Sequence, residues 1–441
     1  MKDKRRLLKA LFWANVVFII FIWLRGFTAS NIILSLARLC GLMSVNLVLT
    51  QFLLIGRIGW IEAYFGHDKL ARIHHRVGKY AFYFIILHFC LIIISYARIG
   101  RIGLIEQFLI LFNSYPDIPK AFIAFLLFIF IVPISIFISR LKLKYETWYF
   151  IHLMLYGAVL LAFGHQLKLG ADFVSRFNVY YWYGLYIFVL GNFVMWRFVR
   201  PIFLFFRHGF YVEKIVRETY EANSFYIKGK NLDNLPREAG QFMILRFLDS
   251  NRFWQAHPFS LSSLPDEDYI RATIKNSGDF TSQIHKVKPG TKILLDGFHG
   301  IFTSRVLQSK KVVLIAGGVG ITPIRSLAEE FGKKGIDTVL LYSNKLVKDI
   351  IFKTELEGLS KKYNLKIHHI LTEDSPANAL SVANGERGRI NKERIARLVD
   401  DVKDRDAYVC GPVPFMDAVI DMLKELGVKE EQIHFEKFSL H

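Results

Sequence analysis

The chain has 441 residues, enough for about three domains, and its 57 Lys and Arg against 38 Asp and Glu give a net charge of +19. That balance would suit a nucleic-acid partner, but 52% of the residues are hydrophobic and the apolar excess lies before residue 207. Much of the basic charge flanks the apolar runs, so membrane orientation explains it better and no nucleic acid is expected. Three scattered cysteines, Cys40, Cys90 and Cys410, without CxxC, exclude a four-cysteine iron–sulfur cluster and a disulfide scaffold.

The basic leader MKDKRRLLK precedes an apolar run to Leu24. No small-residue cleavage site follows it, so it reads as a retained first helix. Further runs cover about Ile32 to Ile55, His74 to Tyr96, Ala121 to Ser139, Trp148 to His165 and Tyr180 to Val199. Each is near the ~20 residues that span a bilayer. With six crossings, four basic clusters fall on one side: the leader, then Arg57, Lys69, Arg72, Arg76 and Lys79, then Arg140, Lys142 and Lys144, then Arg197, Arg200 and Arg207. The positive-inside tendency predicts a plasma-membrane protein with both termini cytoplasmic.

The third run carries His74 and His88, and the fifth carries His152 and His165. Ionisable side chains are costly inside a bilayer, so intramembrane histidines are functional candidates by default. Separations of 14 and 13 residues put two levels roughly 20 Å apart on each helix. The two segments run in the same direction, which pairs His74 with His152 and His88 with His165. Paired imidazoles from facing helices are a usual way to hold a haem, so two six-coordinate b-type haems are expected. The alternative is a set of interfacial or core histidines bonded to backbone. His75 competes with His74, which is preferred because Gly78 lies on nearly the same face and clears space for a flat macrocycle. At about 100° per residue, the 14-residue spacing falls about 40° short of whole turns, but the 13-residue spacing falls about 140° short. A wide turn, tight turn or kink in the fifth run is therefore expected, with Gly157 and Gly164 as candidate places.

Arg38 interrupts the second run. It either snorkels to the interface or faces the bundle, where it would neutralise a propionate of the outer haem or hold an anionic product. Arg57 has the same two readings at the inner level, propionate partner or ordinary flanking charge.

After Arg207, Phe210 to Phe225 and Gln241 to Phe247 have strand character, and a small antiparallel barrel fits the spacing. From Lys311 the pattern alternates: strand KVVLIAG, helix from Thr322, strand DTVLLYS, helix near Phe352 to Tyr363, strand LKIHHIL, helix Lys392 to Val399, strand DAYVCG and helix Val413 to Leu426. Such alternation predicts a doubly wound α/β domain with a parallel sheet covered on both faces.

Gly317-Gly318-Val319-Gly320-Ile321-Thr322-Pro323 follows a buried strand and opens a helix, where glycines let backbone approach a pyrophosphate and free N–H groups face it. A second loop, Cys410-Gly411-Pro412, ends a later strand, and ligands of doubly wound sheets sit at those carboxyl ends. His257-Pro258-Phe259-Ser260 offers a stiff backbone, a ring to lie on a flavin or ribose and a hydroxyl for the isoalloxazine edge; in isolation it reads equally as an edge strand. Gly278-Asp279-Phe280-Thr281 offers another phosphate-binding turn. Ser343 and Lys345, after the second strand of the nucleotide domain, suit a 2′-phosphate, with no Asp or Glu beside them in sequence for NADH. Lys345 reads equally as a solvated surface lysine.

Taken together these residues resemble the NADPH oxidase and ferric reductase superfamily in its compact prokaryotic form, over nearly the whole chain. The resemblance implies three domains: 1–207, an all-α six-helix transmembrane haem-binding bundle; 208–304, an antiparallel β-barrel FAD domain; and 305–441, an α/β NAD(P)H domain. It implies that HPFS is the FAD signature and that IKNSGDFT, with Ile274, Lys275, Gly278 and Thr281, is the flavin pyrophosphate turn. It further implies that GGVGITP and the CGP loop bind nicotinamide dinucleotide, with Cys410 near the carbon that gives up hydride. Phe438, near the carboxyl terminus, takes the place of the family's flavin-covering aromatic. The second helix, LARLCGLMSVN, is similar to the family helix whose arginine lies close to the outer haem.

The expected function is a transmembrane oxidoreductase. Electrons pass from cytosolic NADPH (NADH being possible) through FAD and the His74/His152 and His88/His165 haems to an extracytoplasmic acceptor. Dioxygen, giving superoxide, is preferred over a ferric chelate, quinone or periplasmic protein. Arg38 would stabilise the developing anion, and no regulatory subunit is evident. A membrane redox sensor is the non-enzyme alternative.

Overall fold

The computed structural model describes residues 2–141, 143, 145–250, 252–363, 365–382 and 384–437. The chain divides into two compact units, Met1–Phe65 with Lys69–Arg197, and Gly66–Asp68 with Phe198–Leu440.

The first unit is helical: α1 (Lys2–Arg25), α2 (Ile32–Ile55), α3 (Gly59–Phe65), α4 (His67–Gly100), α5 (Leu104–Ser114), α6 (Ile118–Ile136), α7 (Ile138–Leu141), α8 (Tyr145–Leu169) and α9 (Arg176–Val194). A π turn, Met195–Val199, carries α9 into α10 (Arg200–His208). Six helical stretches are long and apolar enough to cross a membrane: Asp3–Arg25, Ala29–Ile55, His67–Gly100, Ile118–Ile136, Glu146–Leu169 and Arg176–His208. They contain the six expected runs with shifted ends. α4 begins at His67, so Lys69, Arg72, Arg76 and Lys79 lie within that helix rather than ahead of it. α6 ends at Ile136, short of the expected Ser139, and helix resumes as α7 after a one-residue break at Phe137. Leu42, Leu49 and Phe52 of α2 pack against Trp182, Tyr186, Val189 and Phe193 of α9. Both sets follow a helical period, which leaves Leu87, Ile123, Phe130, Leu160 and Ile187 exposed on the outside.

In the second unit, β1 (Tyr211–Arg217), β2 (Ala222–Lys228) and β5 (Ile270–Lys275) form one three-stranded sheet. A second sheet has β3 (Phe242–Phe247) between β4 (His257–Ser260) and β6 (Ile293–His299). All these pairings are antiparallel. Single bridges, Tyr211 to Lys292 and Leu261 to Ala272, join the two sheets at both edges. Alternate residues, among them Val212, Phe225, Met243, Leu245, Ile270, Ala272 and Leu295, fill one shared core. The run of strand character from Phe210 to Phe225 holds β1 and the start of β2, paired as a hairpin; its turn, Glu218-Thr219-Tyr220-Glu221, has no Gly or Pro to announce it. α11 (Asp279–Ser282) is a single turn after β5.

The remainder is β7 (Lys311–Gly317), α12 (Ile321–Lys333), β8 (Asp337–Asn344), α13 (Lys353–Tyr363), β9 (Lys366–Leu371), α14 (Pro376–Ala379), β10 (Gly385–Arg387), α15 (Lys392–Leu398), β11 (Asp406–Cys410), α16 (Val413–Glu425) and β12 (Ile433–Phe435). The six strands are parallel in the order β10-β9-β8-β7-β11-β12. On β7, Val312, Leu314 and Ala316 face one core with α12 and α13, while Val313 and Ile315 face another with α15 and α16. This alternation explains why the strand reads as an unbroken apolar run. The strand order reverses between β7 and β11, so a crevice opens where Gly317 and Cys410 end their strands.

Candidate redox centre

His74 and His88 lie on α4, and His152 and His165 on α8. The ring centres of His74 and His152 are 6.2 Å apart, and those of His88 and His165 are 6.5 Å apart. A metal bonded at about 2 Å to one nitrogen of each ring separates the two centres by about 6 Å. Both pairs fit that spacing. α8 is one unbroken α-helix from Tyr145 to Leu169, so the expected wide or tight turn at Gly157 or Gly164 is corrected. Staggered χ1 wells lie about 120° apart, an angle large enough to offset most of the difference between the two spacings. His75 is exposed, whereas His74 faces His152.

The second ring nitrogens have their own partners. His88 Nδ1 lies 2.8 Å from the Ala37 carbonyl of α2. A carbonyl only accepts, so Nδ1 carries the proton and Nε2 keeps the lone pair that a metal takes. His152 Nδ1 is 2.9 Å from the Ser135 hydroxyl of α6, which also receives the Trp148 indole N–H at 3.1 Å. The Gln51 amide reaches His74; oriented to satisfy the backbone, its nitrogen donates to the His74 carbonyl at 2.9 Å and stands 2.6 Å from Nδ1, while its oxygen accepts from Gly78 N–H at 3.0 Å. His165 Nδ1 makes no well-aligned hydrogen bond among the described residues, its nearest partner being the Ala162 carbonyl. Gly41 lies against His88: an added Cβ would stand 2.8 Å from that ring. Gly41, Gln51, Ser135 and Trp148 were not anticipated, although a lone polar residue within an apolar helix is itself a signal.

Arg38 neither snorkels nor stands ready for an anion. Its Nε donates to Asp172 Oδ2 at 3.0 Å, a second nitrogen bonds Asp172 Oδ1, and a third donates to the Gly26 carbonyl at 2.7 Å. The Asp172 side chain is buried and that of Arg38 mostly so. Of the two readings, snorkelling or a place in the bundle beside a propionate or anion, the first is corrected, and Asp172 takes the place of the anion: a planar fork beside a buried carboxylate is neutralised by it. Asp172, 134 residues further along the chain, gave no local sign of this pairing. Arg57 follows α2 with φ 55, in the left-handed region.

The HPFS and GDFT segments come together. His257 stacks on Phe280 with ring centres 4.0 Å apart, and Phe259 lies 6.3 Å from the same ring. β4 pairs with β3 only, which makes it the edge strand where Pro258 loses no ladder bond; Ser260 pairs with Phe242. Thr281 Oγ1 accepts from Ser277 N–H at 2.9 Å and donates to the Gly278 carbonyl at 3.2 Å, closing the turn on itself. Gly278 has extended backbone with open space beside it. Lys275 pairs with Glu221 at 3.2 Å. Ile274 is buried in the core, so only its backbone faces the turn.

At the switch point Gly318 has φ +53, and a Cβ on Gly320 would overlap the Cys410 carbonyl. Gly317 and Gly411 approach each other beneath Phe415, where a Cβ on Gly411 would stand 3.2 Å from Gly317 Cα. The strand ends carrying Cys410-Gly411-Pro412 and Gly317–Gly320 therefore line one crevice. Ile321, Thr322 and Pro323 point inward, and Thr322 Oγ1 donates to the Val319 carbonyl at 2.9 Å. Cys410 is buried; burial, then the Glu436 carboxylate, push its thiol far up, so it stays protonated at neutral pH. Glu436, itself buried, was not anticipated. Ser343 is the last residue but one of β8, and Lys345 pairs at 3.0 Å with Glu373, which follows β9. No acid stands beside Lys345 in sequence, but the segment after β9 brings one to it in space. Phe438 lies outside the described residues.

Histidine pairs on membrane-spanning helices, joined in one chain to a two-sheet module and a doubly wound sheet with glycine turns at its switch point, define a membrane oxidoreductase with flavin- and nicotinamide-binding domains. Three family models match: "Ferric reductase like transmembrane component" over residues 40–163, "FAD-binding domain" over 210–309 and "Oxidoreductase NAD-binding domain" over 314–421. In this order they place the chain in the NADPH oxidase and ferric reductase superfamily, as a multi-pass membrane protein. The chain is similar to the flavohemoprotein of Bacillus subtilis (strain 168), 28% identical over 235 residues, 52% of this chain and 59% of that protein. It is also similar to the glycine betaine monooxygenase reductase subunit of Pseudomonas aeruginosa (strain UCBPP-PA14), 29% identical over 241 residues, 53% of this chain and 64% of that protein. The chain thus spans about three fifths of these relatives. A solved FAD/NAD-binding domain of nitric oxide dioxygenase from Vibrio cholerae is 24% identical, covers 52% of this chain and 96% of its own, and has a TM-score of 0.46.

Proposed function

We propose that the protein carries electrons across a membrane, from NADPH to FAD as hydride and then singly through two b-type haems to an acceptor at the outer face. Domain limits of 1–207, 208–304 and 305–441 go with this reading, as do cytoplasmic termini. The observation that carries it is the pair of His–His separations, 6.2 and 6.5 Å, at two levels of the same two helices. His74 and His152 would hold the inner iron, and His88 and His165 the outer, each through the ring nitrogen that faces its partner. Haems supply one-electron steps and the flavin converts hydride to single electrons. The chain's own work is to hold and orient. His257, Pro258, Phe259 and Ser260, with the turn Ile274, Lys275, Gly278 and Thr281, would seat the flavin in the barrel. Gly317 to Pro323 and Cys410 to Pro412 would seat the dinucleotide, with Ser343 and Lys345 at a 2′-phosphate. The Lys345–Glu373 pair is exposed, and such pairs are worth about 0–1 kcal/mol, so freeing Lys345 for a phosphate costs little.

His88 and His165 would together occupy the outer iron, so an acceptor would have to react without binding it, and dioxygen is the acceptor we favour. A ferric chelate is the second reading. It is favoured by the commitment of Arg38 to Asp172, which withdraws the guanidinium that would have steadied superoxide.

A reduced-minus-oxidised spectrum of purified protein tests the reading: b-type haem is expected, and His88→Ala and His165→Ala are each expected to lose about half of it. Full haem content in both variants, or none in the native protein, refutes it. NADPH-driven reduction in vesicles, comparing dismutase-sensitive and chelate-dependent signals, separates the two acceptors.

A further inference from the structure

We propose that Ser135 and Trp148 are positioning residues for His152, fixing which nitrogen it offers to the inner iron and how basic that nitrogen is; the inference rests on the haem reading above. A serine hydroxyl has one proton and two acceptor sites. The Ser135 proton goes to the Ile131 carbonyl, 2.9 Å away and one turn back on α6. An indole N–H can only donate, so Trp148 takes one acceptor site at 3.1 Å. One site remains, and His152 Nδ1 lies 2.9 Å from the oxygen. Filling it needs a proton on Nδ1, which leaves the Nε2 lone pair for metal. Every bond the hydroxyl can make is then made.

The four histidines are held unequally, His74 being reached by the Gln51 amide. His88 is held by a backbone carbonyl, which no substitution removes, and His165 has no well-aligned partner among the described residues. His152 is held by a side chain that a second side chain polarises. An acceptor on the Nδ1–H raises the basicity of the ligating nitrogen, which favours the more positive, oxidised metal and lowers its potential. Ser135→Ala removes the acceptor and raises the potential. Trp148→Phe removes the indole N–H that draws on the same oxygen, leaves the hydroxyl a stronger acceptor for Nδ1–H, and lowers the potential. Opposite signs from two neighbours are not what a packing role produces.

The test is a redox titration of the purified full chain in detergent, resolving the two midpoints, with electron paramagnetic resonance of the oxidised haems as a second readout. Ser135→Ala is expected to shift one midpoint upward by about tenfold in the reduction equilibrium, 59 mV for a one-electron couple, and to leave the other in place. Trp148→Phe should move that same midpoint down, and Ser135→Thr, which keeps the hydroxyl, should restore the native value. Shifts of equal sign, shifts of both haems together, or no shift with haem content intact overturn the inference while the haem reading stands. A native protein without haem absorbance overturns both, and the spectrum alone shows which has happened.

Discussion

Replacing Asp172 by Asn leaves Arg38 charged, buried and deprived of its anion, and the size of that loss follows from geometry. The guanidinium side chain is 13% exposed and the carboxylate 4%, and two parallel bonds join them. Removing one partner of a buried pair costs about 3–5 kcal/mol. The bond from Arg38 to the Gly26 carbonyl survives, and the guanidinium keeps some contact with the surface, so the lower end, about 3 kcal/mol, applies. For a unit of this size about 1 kcal/mol moves the melting point by about 2–4 °C, and Asp172→Asn or Arg38→Met is expected to lower it by roughly 6–12 °C. Tryptophan-fluorescence melting of the full chain in detergent reads this directly. The double variant Arg38→Met/Asp172→Leu should recover most of the loss, since an apolar pair of similar volume often matches a buried ion pair. A double variant that melts as low as the singles, or singles that melt like the native protein, would refute the pairing as the tie between α2 and the segment after α8. Ala37, whose carbonyl holds His88, is the neighbour of Arg38, so the single variants should also broaden the signal of the haem proposed for His88 and His165.

Gly41→Ala places a methyl 2.8 Å from the His88 ring on a helix that cannot yield; loss of about half the haem absorbance is expected, with the flavin retained. Gly320→Ala drives a methyl into the Cys410 carbonyl, backbone against backbone, and should abolish NADPH-driven flavin reduction while dithionite still reduces the flavin. Burial lowers His369 from 6.5 to about 4. The unfolded chain therefore takes up the proton first, and stability falls as pH drops from about 6.5 to about 4, by about 3 kcal/mol in all. His369→Leu should flatten the melting point against pH across that window, and an unchanged slope would exclude His369 as its source.

The sequence made periodic and local features legible. Six apolar runs, the alternation of β7 with its two cores, and the glycine turn at Gly317 to Gly320 all follow from residues close together in the chain. The hairpin of β1 and β2 was hidden because its turn, Glu218 to Glu221, uses no residue that favours a turn. Asp172 for Arg38, Ser135 for His152 and Glu373 for Lys345 were hidden for another reason. Each belongs to an element whose face depends on tertiary packing, and a single polar residue does not say which neighbour it will meet.

The unequal spacings of the histidines show the same limit from the other side. Read as rigid spokes on a helix, 14 and 13 residues demand a break in α8, because the second pair of Cβ atoms points about 140° apart. The helix has no such break, and both ring separations still fall near 6 Å. A histidine has two side-chain torsions between backbone and ring, and changing one staggered well for another covers most of the angle at about 1 kcal/mol or less. Breaking the helix inside a bilayer would instead strand backbone N–H and C=O groups at several kcal/mol each. A change of torsion is therefore the cheaper way to bring the rings together. What it then requires is a partner that holds each ring in its chosen well, and the Ala37 carbonyl and the Ser135 hydroxyl stand where that is needed.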